Sequence, residues 1–293
     1  MNGIDGGTAI AALVGIASGA DAAIWGMYKD AAHEGFFWTR FFRSILLGAV
    51  AAVVLQMMLM LDLPKAGPVL VLFGLAYAVE RILVEGWKTF VREEDQSKYA
   101  IPMQLAINGV PVQSRVTRTT AGIVTLVAIA GIAATVFAIF GSVGTVFSAG
   151  IAGLLAGLII AVGGAWKDAP IEGFEYLKFW RSPALTVLFS LLLFPLIGNA
   201  FIAAIAAIGY ERAASENYKT FFFPSRPRGK FAGKPILFPA MLNIRHRFVP
   251  LYATIRLAML WLVADLVMSE KPYLGTAGRF GSASITSLVK VRK

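Results

Sequence analysis

Seven runs of apolar residues, each near the length that crosses a bilayer, decide what this chain can fold into. They occupy 8–27, 45–61, 67–84, 120–141, 144–164, 183–196 and 198–212. About 20 such residues in a helix cover the roughly 30 Å of hydrocarbon in a membrane. No water is available there, so each backbone N–H and C=O must find its partner within the segment, which a helix provides. The fold class that follows is an all-α polytopic membrane protein. Only 15% of the residues are charged, against about 25% in a soluble domain. The pair 183–196 and 198–212 is short for two passes around a Pro195–Gly198 turn, and is expected to dip rather than cross fully. A further apolar run, 252–268, contains Arg256 and Asp265. Charges at that depth are costly, so it is read as a doubtful eighth helix, either a span or a re-entrant segment.

The charges between the runs set an orientation. Loops 28–44, 86–119, 165–182 and 211–250 hold 19 of the 27 Lys and Arg residues, and the alternate loops hold only Lys65. The positive-inside rule then puts the basic loops in the cytoplasm and the N-terminus outside, with a bacterial inner membrane as the expected location. The same distribution accounts for the net charge of +10 without nucleic acid, which is excluded as a partner. MNGIDGG, the first seven residues, has no positive region of the kind that starts a cleavable signal, so the first run is expected to stay in the membrane. Cysteine is absent, which removes disulfides, thiolate catalysis and thiolate metal sites. No cofactor is implied.

One string of charge and aromatics is written twice. YKDAAHEGFFWTRFFRS at 28–44 returns as WKDAPIEGFEYLKFWRS at 166–182, and a shift of 138 matches 13 of the 30 residues from Gly15 to Ser44. ERILVEGWKTF at 80–90 returns as ERAASENYKTF at 211–221, and Lys98-Tyr99-Ala100 as Lys230-Phe231-Ala232. The reading is an internal duplication. Four spans lie between the copies, an even number, so the two repeats are parallel. The organisation expected is a first three-span repeat at 8–100, a connecting span at 119–142, a second repeat at 143–232, and a basic loop, eighth helix and tail at 233–293. This 3+1+3 layout is similar to that of the SWEET sugar transporters, in arrangement alone, which implies a parallel two-fold and no particular substrate.

The duplicated blocks hold the candidate site residues. Gly15-x-x-x-Gly19 and Gly153-x-x-x-Gly157 give spans 1 and 5 a small-residue face for close helix packing. Asp30 and Glu34, like Asp168 and Glu172, are four apart and share a helix face. That arrangement suits either an anchoring elbow or a pair of carboxylates for a divalent ion or cationic group, and no metal ligand set is assigned. Pro170 is expected in the first turn of a new helix begun by Asp168, with Gly35 and Gly173 ending the turns. Arg81, Glu85 and Lys88, and likewise Arg212, Glu216 and Lys219, align as salt-bridge ladders. Glu80 and Glu211 fall off those ladders and are candidates for an acidic cluster with the aspartates. Asp21 has no counterpart, since Ile159 stands in its place, and a lone intramembrane carboxylate is a candidate for proton or ion coupling.

Arg40, Arg43, Lys178 and Arg181 follow the aromatic blocks and are expected on lipid headgroups, as are Arg226, Arg228, Lys230 and Lys234 of the basic loop. Membrane lipids with anionic headgroups are therefore the expected partners, with other membrane subunits or a second copy also open. No catalytic residue can be assigned. Three functions fit: a transporter or translocator of an anionic, phosphate-bearing or lipid-linked solute; a structural or accessory subunit of a larger membrane complex; and a membrane enzyme acting on a lipid phosphate. The first is favoured by the repeats and by Asp21.

Overall fold

A computed structural model describes residues 6–140, 144–222 and 229–269. The apolar runs become long helices: α1 Gly6–Glu34, α2 Trp38–Leu59, α3 Ala66–Gly86, α4 Arg115–Phe140, α5 Val146–Glu172, α6 Tyr176–Ile197 and α7 Ala200–Phe221. A single turn, α8 Met241–Ile244, and a 3₁₀ turn lead into α9 Val249–Met268. α3 continues as a π-helical turn over Trp87–Val91. Seven segments are long and apolar enough to cross a membrane: α1, α2, α3 with its π-turn, α4, α5, α6 and Met241–Met268. The protein is thus an all-α polytopic membrane protein. α7 has a similar length but carries Glu211, Arg212, Glu216 and Lys219 in its second half.

Several helix ends differ from the apolar runs, for a common reason. α6 begins at Tyr176 and is 22 residues long, so it is long enough to cross, where the run 183–196 alone was short. The aromatic and basic residues before Ser182 belong to its first turns, where interfacial side chains extend a helix beyond its hydrocarbon-length core. α5 likewise continues through Asp168 and Pro170 to Glu172, so Pro170 lies inside a helix rather than opening one. Gly35 and Gly173 do end α1 and α5, at φ of 80° and 81°, a conformation that favours glycine. α9 starts where Phe248 meets Phe36 and Phe41, and near its end Leu266 reaches Gly67 at the start of α3. It therefore runs from the basic end of the bundle to the opposite end, a length that suits a span.

The helices associate through small residues, as expected where lipid is as apolar as the side chains. α1 lies on α2 with Gly15 and Gly19 against the backbone of Gly48 and Ser44. α5 lies on α6 with Gly157 against Pro183 and Thr186, and Gly153 with 2.8 Å between a built Cβ and the Thr186 carbonyl. α3 and α7 cross at Gly74 and Gly209, and the Tyr210 hydroxyl donates to the Leu70 carbonyl at 2.8 Å. α3 is the central helix, with Val71, Leu72, Ala76, Tyr77 and Ala78 fully buried. α4 is largely exposed along its apolar length; Gly122 abuts Phe90 in its first turns, and near its end Phe137 packs on Phe201 of α7 at 5.4 Å.

Between α3 and α4 the chain forms a short hairpin, β1 Ala106–Ile107 paired with β2 Val110–Pro111, closed by Asn108 and Gly109 at positive φ. This loop lies on the end of α5: the Trp166 indole donates to the Ala106 carbonyl at 3.1 Å and Gly109 touches Ile171. The loop after α7 lies instead on the end of α1. There Leu237 and Phe238 both donate to the Ala32 carbonyl, and His33 stacks on Phe231 at 4.6 Å. The two loops meet where the Ala100 amide donates to the Lys230 carbonyl at 2.7 Å, with Tyr99 and Phe231 packed beside it.

Candidate functional site

The C-terminal ends of α1, α3, α5 and α7 and the N-terminal ends of α2, α4 and α6 share one end of the bundle, which holds most of the described charge. A cavity of about 110 Å³ opens there between α1, α2 and the end of α3. That is room for several waters. Six cations line it: Arg40, Arg43, Arg81, Lys88, Arg92 and Lys230. Asp30 and Glu34 are the acidic residues in the wall. Trp25, Met27, Phe36, Phe37 and Phe41 add apolar surface to the same lining.

Most of these charges are paired. Lys230 lies between Asp30 at 2.9 Å and Glu34 at 2.6 Å, and Glu34 also accepts from Arg40 at 2.6 Å. Burial alone would push the Lys230 ammonium down, but the Asp30 and Glu34 carboxylates outweigh it and hold it above the usual lysine range. Arg81 forms a two-pronged contact with its neighbour Glu80, and both side chains are buried. Lys88 holds Glu85 at 3.2 Å. Arg92 holds Glu94 at 2.5 Å, while Lys98 and the Tyr99 hydroxyl also donate to that carboxylate. Burial would raise the Glu94 carboxyl, and these donors outweigh it, so it sits below the ordinary glutamate range.

Arg43 is the exception. Its Nε is buried with no hydrogen-bond partner, and among the described residues no carboxylate lies within ion-pair distance of its guanidinium. It faces the Trp87 ring at 5.8 Å. Its buried Nε–H is a donor without an acceptor, and a planar guanidinium of this kind matches an oxyanion.

The other candidates fall into separate groups. Arg81 and Glu85 are 3.9 Å apart, so the ladder through Lys88 exists, but Glu80 is the closer partner of Arg81. Around α7, Glu216 is buried and accepts three cations: Lys29 at 3.0 Å, Arg212 at 3.2 Å and Lys219 at 3.5 Å. Glu211, also buried, accepts from the Ser182 and Ser215 hydroxyls at 2.7 and 2.9 Å. Asp168 and Glu172 share one lysine, Lys178, at 2.8 and 2.6 Å. Glu80 and Glu211 therefore do not join the aspartates in one acidic cluster; each has its own donors. Among the described residues no group of three metal-binding side chains occurs.

Asp21 is not alone. It is fully buried, and Arg256 of α9 donates to it at 2.7 Å. Its charge is thus met across the bundle by a residue outside both repeats, although Ile159 still stands at the matching position of α5. Arg256 was legible as its partner, because two opposite charges in otherwise apolar spans neutralise each other at matching depth. Arg92, Glu94 and Trp25 had no such signal in the sequence, although Trp25 donates to the Tyr77 hydroxyl at 2.6 Å beneath the cavity.

Of the residues expected on headgroups, Lys230 is turned onto Asp30 and Glu34, and Lys178 onto Asp168 and Glu172. Lys234 donates to the Ser97 carbonyl at 2.6 Å, and Arg181, like Arg43, keeps a buried Nε without a partner. Arg226 and Arg228 lie outside the described residues. Comparison with protein families, with characterised proteins and with solved structures finds no match to this chain.

Proposed function

We propose that this chain is a membrane translocator of a phosphate-bearing anion, built from two parallel three-helix units, α1–α3 and α5–α7, joined by α4. The observation that carries the reading is the basic cavity beside α1, with Arg43 unpaired on its wall. In the low-dielectric end of a helix bundle, a guanidinium and neighbouring cations favour a multiply charged oxyanion over chloride, because several donors can engage separate oxygens. The reading of two units is supported by matched positions that behave alike. Gly19 meets Ser44 and Ile45, and Gly157, its counterpart, meets Pro183, the counterpart of Ile45. Glu34 is held by Arg40 and Glu172 by Lys178, the counterpart of Arg40, each at 2.6 Å. Arg43 and Arg181 share the orphaned Nε. The basic end is assigned to the cytoplasm by the positive-inside rule.

Purified and reconstituted alone in neutral-lipid vesicles, the protein should release an entrapped, radiolabelled organic phosphate while retaining entrapped choline. Arg43→Ala should slow that release about tenfold, the weight of one charge-assisted contact. A protein that is stabilised by the phosphate but never moves it would be a subunit rather than a translocator. If no phosphate compound changes its melting behaviour, the anion reading is wrong.

A further inference from the structure

Three buried polar atoms of the cavity lining have no hydrogen-bond partner among the described residues: Arg43 Nε, Arg92 Nε and Asp30 Oδ1. Two are donors and one is an acceptor. Arg92 engages Glu94 and the Tyr99 hydroxyl through its outer nitrogen and keeps its Nε–H open. The two carboxylates of the lining differ in the same respect. Both oxygens of Glu34 are taken, Oε1 by Lys230 and Oε2 by Arg40, each at 2.6 Å. Asp30 holds Lys230 through Oδ2 at 2.9 Å and leaves Oδ1 open. An ionised carboxylate only accepts, so what Oδ1 lacks is a donor. Buried polar atoms left unmet are costly, and a group bound in the cavity gains by meeting them.

A fully ionised oxyanion meets only part of this set. All of its oxygens accept, so they suit the two arginine Nε–H groups and are repelled by Asp30 Oδ1. An oxyanion that keeps one proton suits all three atoms. Its bare oxygens accept from Arg43 and Arg92, and its P–OH donates to Asp30. Resting on the anion reading above, we infer that the cavity takes a phosphoryl group in its protonated form, and that Asp30 is the residue that selects it. Inorganic phosphate carries such a proton at neutral pH. A monoester carries it as its monoanion, below a second ionisation at about pH 6. Sulfate has the same tetrahedral shape and no proton, so a carboxylate in the lining rejects it by repulsion as well as by a lost hydrogen bond. The cavity, at about 110 Å³, has room for an ion of this size.

The test uses the full-length protein in phosphatidylcholine nanodiscs at pH 6, where about half of a monoester keeps its proton. Bound radiolabelled phosphate is displaced by unlabelled phosphate, arsenate, sulfate or glycerol phosphate. Arsenate is the protonated control and sulfate the bare one. With the wild type, arsenate should displace the label about as well as phosphate does. Sulfate should be weaker by about tenfold or more, the weight of one charge-assisted hydrogen bond. Asp30→Asn keeps the shape and adds an N–H that can donate to a bare oxygen, so the preference for phosphate over sulfate should fall to about twofold or less. Glu34 still holds Lys230 in this variant, so it is expected to fold, and a monodisperse elution profile checks this. If it elutes aggregated, the arsenate and sulfate arms on the wild type decide alone. With that preference seen, displacement by glycerol phosphate extends the inference to monoesters, and its failure supports it for the free ion. Sulfate displacing the label as well as phosphate does overturns the inference and leaves the anion reading standing. An unchanged preference in monodisperse Asp30→Asn overturns the assignment to Asp30. If labelled phosphate does not bind at all, the inference is overturned, and if glycerol phosphate also leaves thermal unfolding unchanged, the anion reading falls with it.

Discussion

A buried ion pair between distant spans makes each partner's removal more damaging than removal of both. Asp21 is fully buried and its Oδ2 holds Arg256 at 2.7 Å across 235 residues of sequence. Losing Arg256 strands a fully buried carboxylate and losing Asp21 strands a partly buried guanidinium, at a cost of up to about 3 kcal/mol. Arg256→Met alone, or Asp21→Asn alone, should lower the thermal midpoint in detergent by several degrees. The double variant should recover most of the loss, since replacing both partners by apolar or neutral groups removes the stranded charge. If the two single losses simply add, the pair contributes nothing as a pair. The Lys230 clamp permits a second residue-level prediction. Its ammonium is held above the ordinary value of 10.5 by Asp30 and Glu34, so it stabilises the fold fully below that pH. The contribution fades only as pH rises through the still higher folded value. Hydrogen exchange of the segment around Lys230 should therefore show no loss of protection between pH 7 and pH 9 beyond the intrinsic rate change, whereas Lys230→Met should expose it at pH 7.

Helices were the most legible elements because hydrocarbon length and backbone satisfaction leave a segment of this kind one solution. Their ends were less legible. Hydropathy measures the oily core of a helix and not its interfacial turns, which is why α6 began seven residues before its apolar run and Pro170 fell inside α5. The small-residue faces were readable from spacing, but their partners were not, since spacing says nothing of which helix lies opposite. The same holds for the site: Arg43 and Lys230 were singled out as cations, yet Lys230 found carboxylates and only Arg43 stayed open. Packing at the glycines gives a graded prediction. A Cβ on Gly19 would collide with the Ser44 carbonyl, and one on Gly209 with the Gly74 carbonyl, whereas Gly26 and Gly164 have open space. Gly19→Ala and Gly209→Ala should each lower the thermal midpoint. Gly26→Ala and Gly164→Ala should leave it unchanged or raise it slightly, because alanine is the better helix former by about 1 kcal/mol. Equal effects at all four sites would show that α1 and α7 do not meet their neighbours at these glycines.

For the molecule as a whole, the parallel arrangement of the two units is decided by the sidedness of matched positions. The chain has no cysteine, so single introductions are clean. Thr39 and Leu177 occupy corresponding places at the starts of α2 and α6 and are both exposed. Thr39→Cys and Leu177→Cys should react with a membrane-impermeant maleimide from the same side, and opposite sides would exclude parallel units.

The crossing of the two loops, each lying on the end of a helix from the other half, also sets a timetable for synthesis. Glu34 leaves the ribosome 196 residues before Lys230, the residue that clamps it. At about 5–20 residues per second, that interval is on the order of ten to forty seconds. Until it ends, the elbow between α1 and α2 has Arg40 but not its clamp, and the floor of the cavity is unfinished. The first half of the chain is thus inserted long before it is complete. A truncation anywhere ahead of Lys230 would leave a membrane-resident fragment with an open, charged elbow, a ready mark for the proteases that clear unfinished membrane proteins.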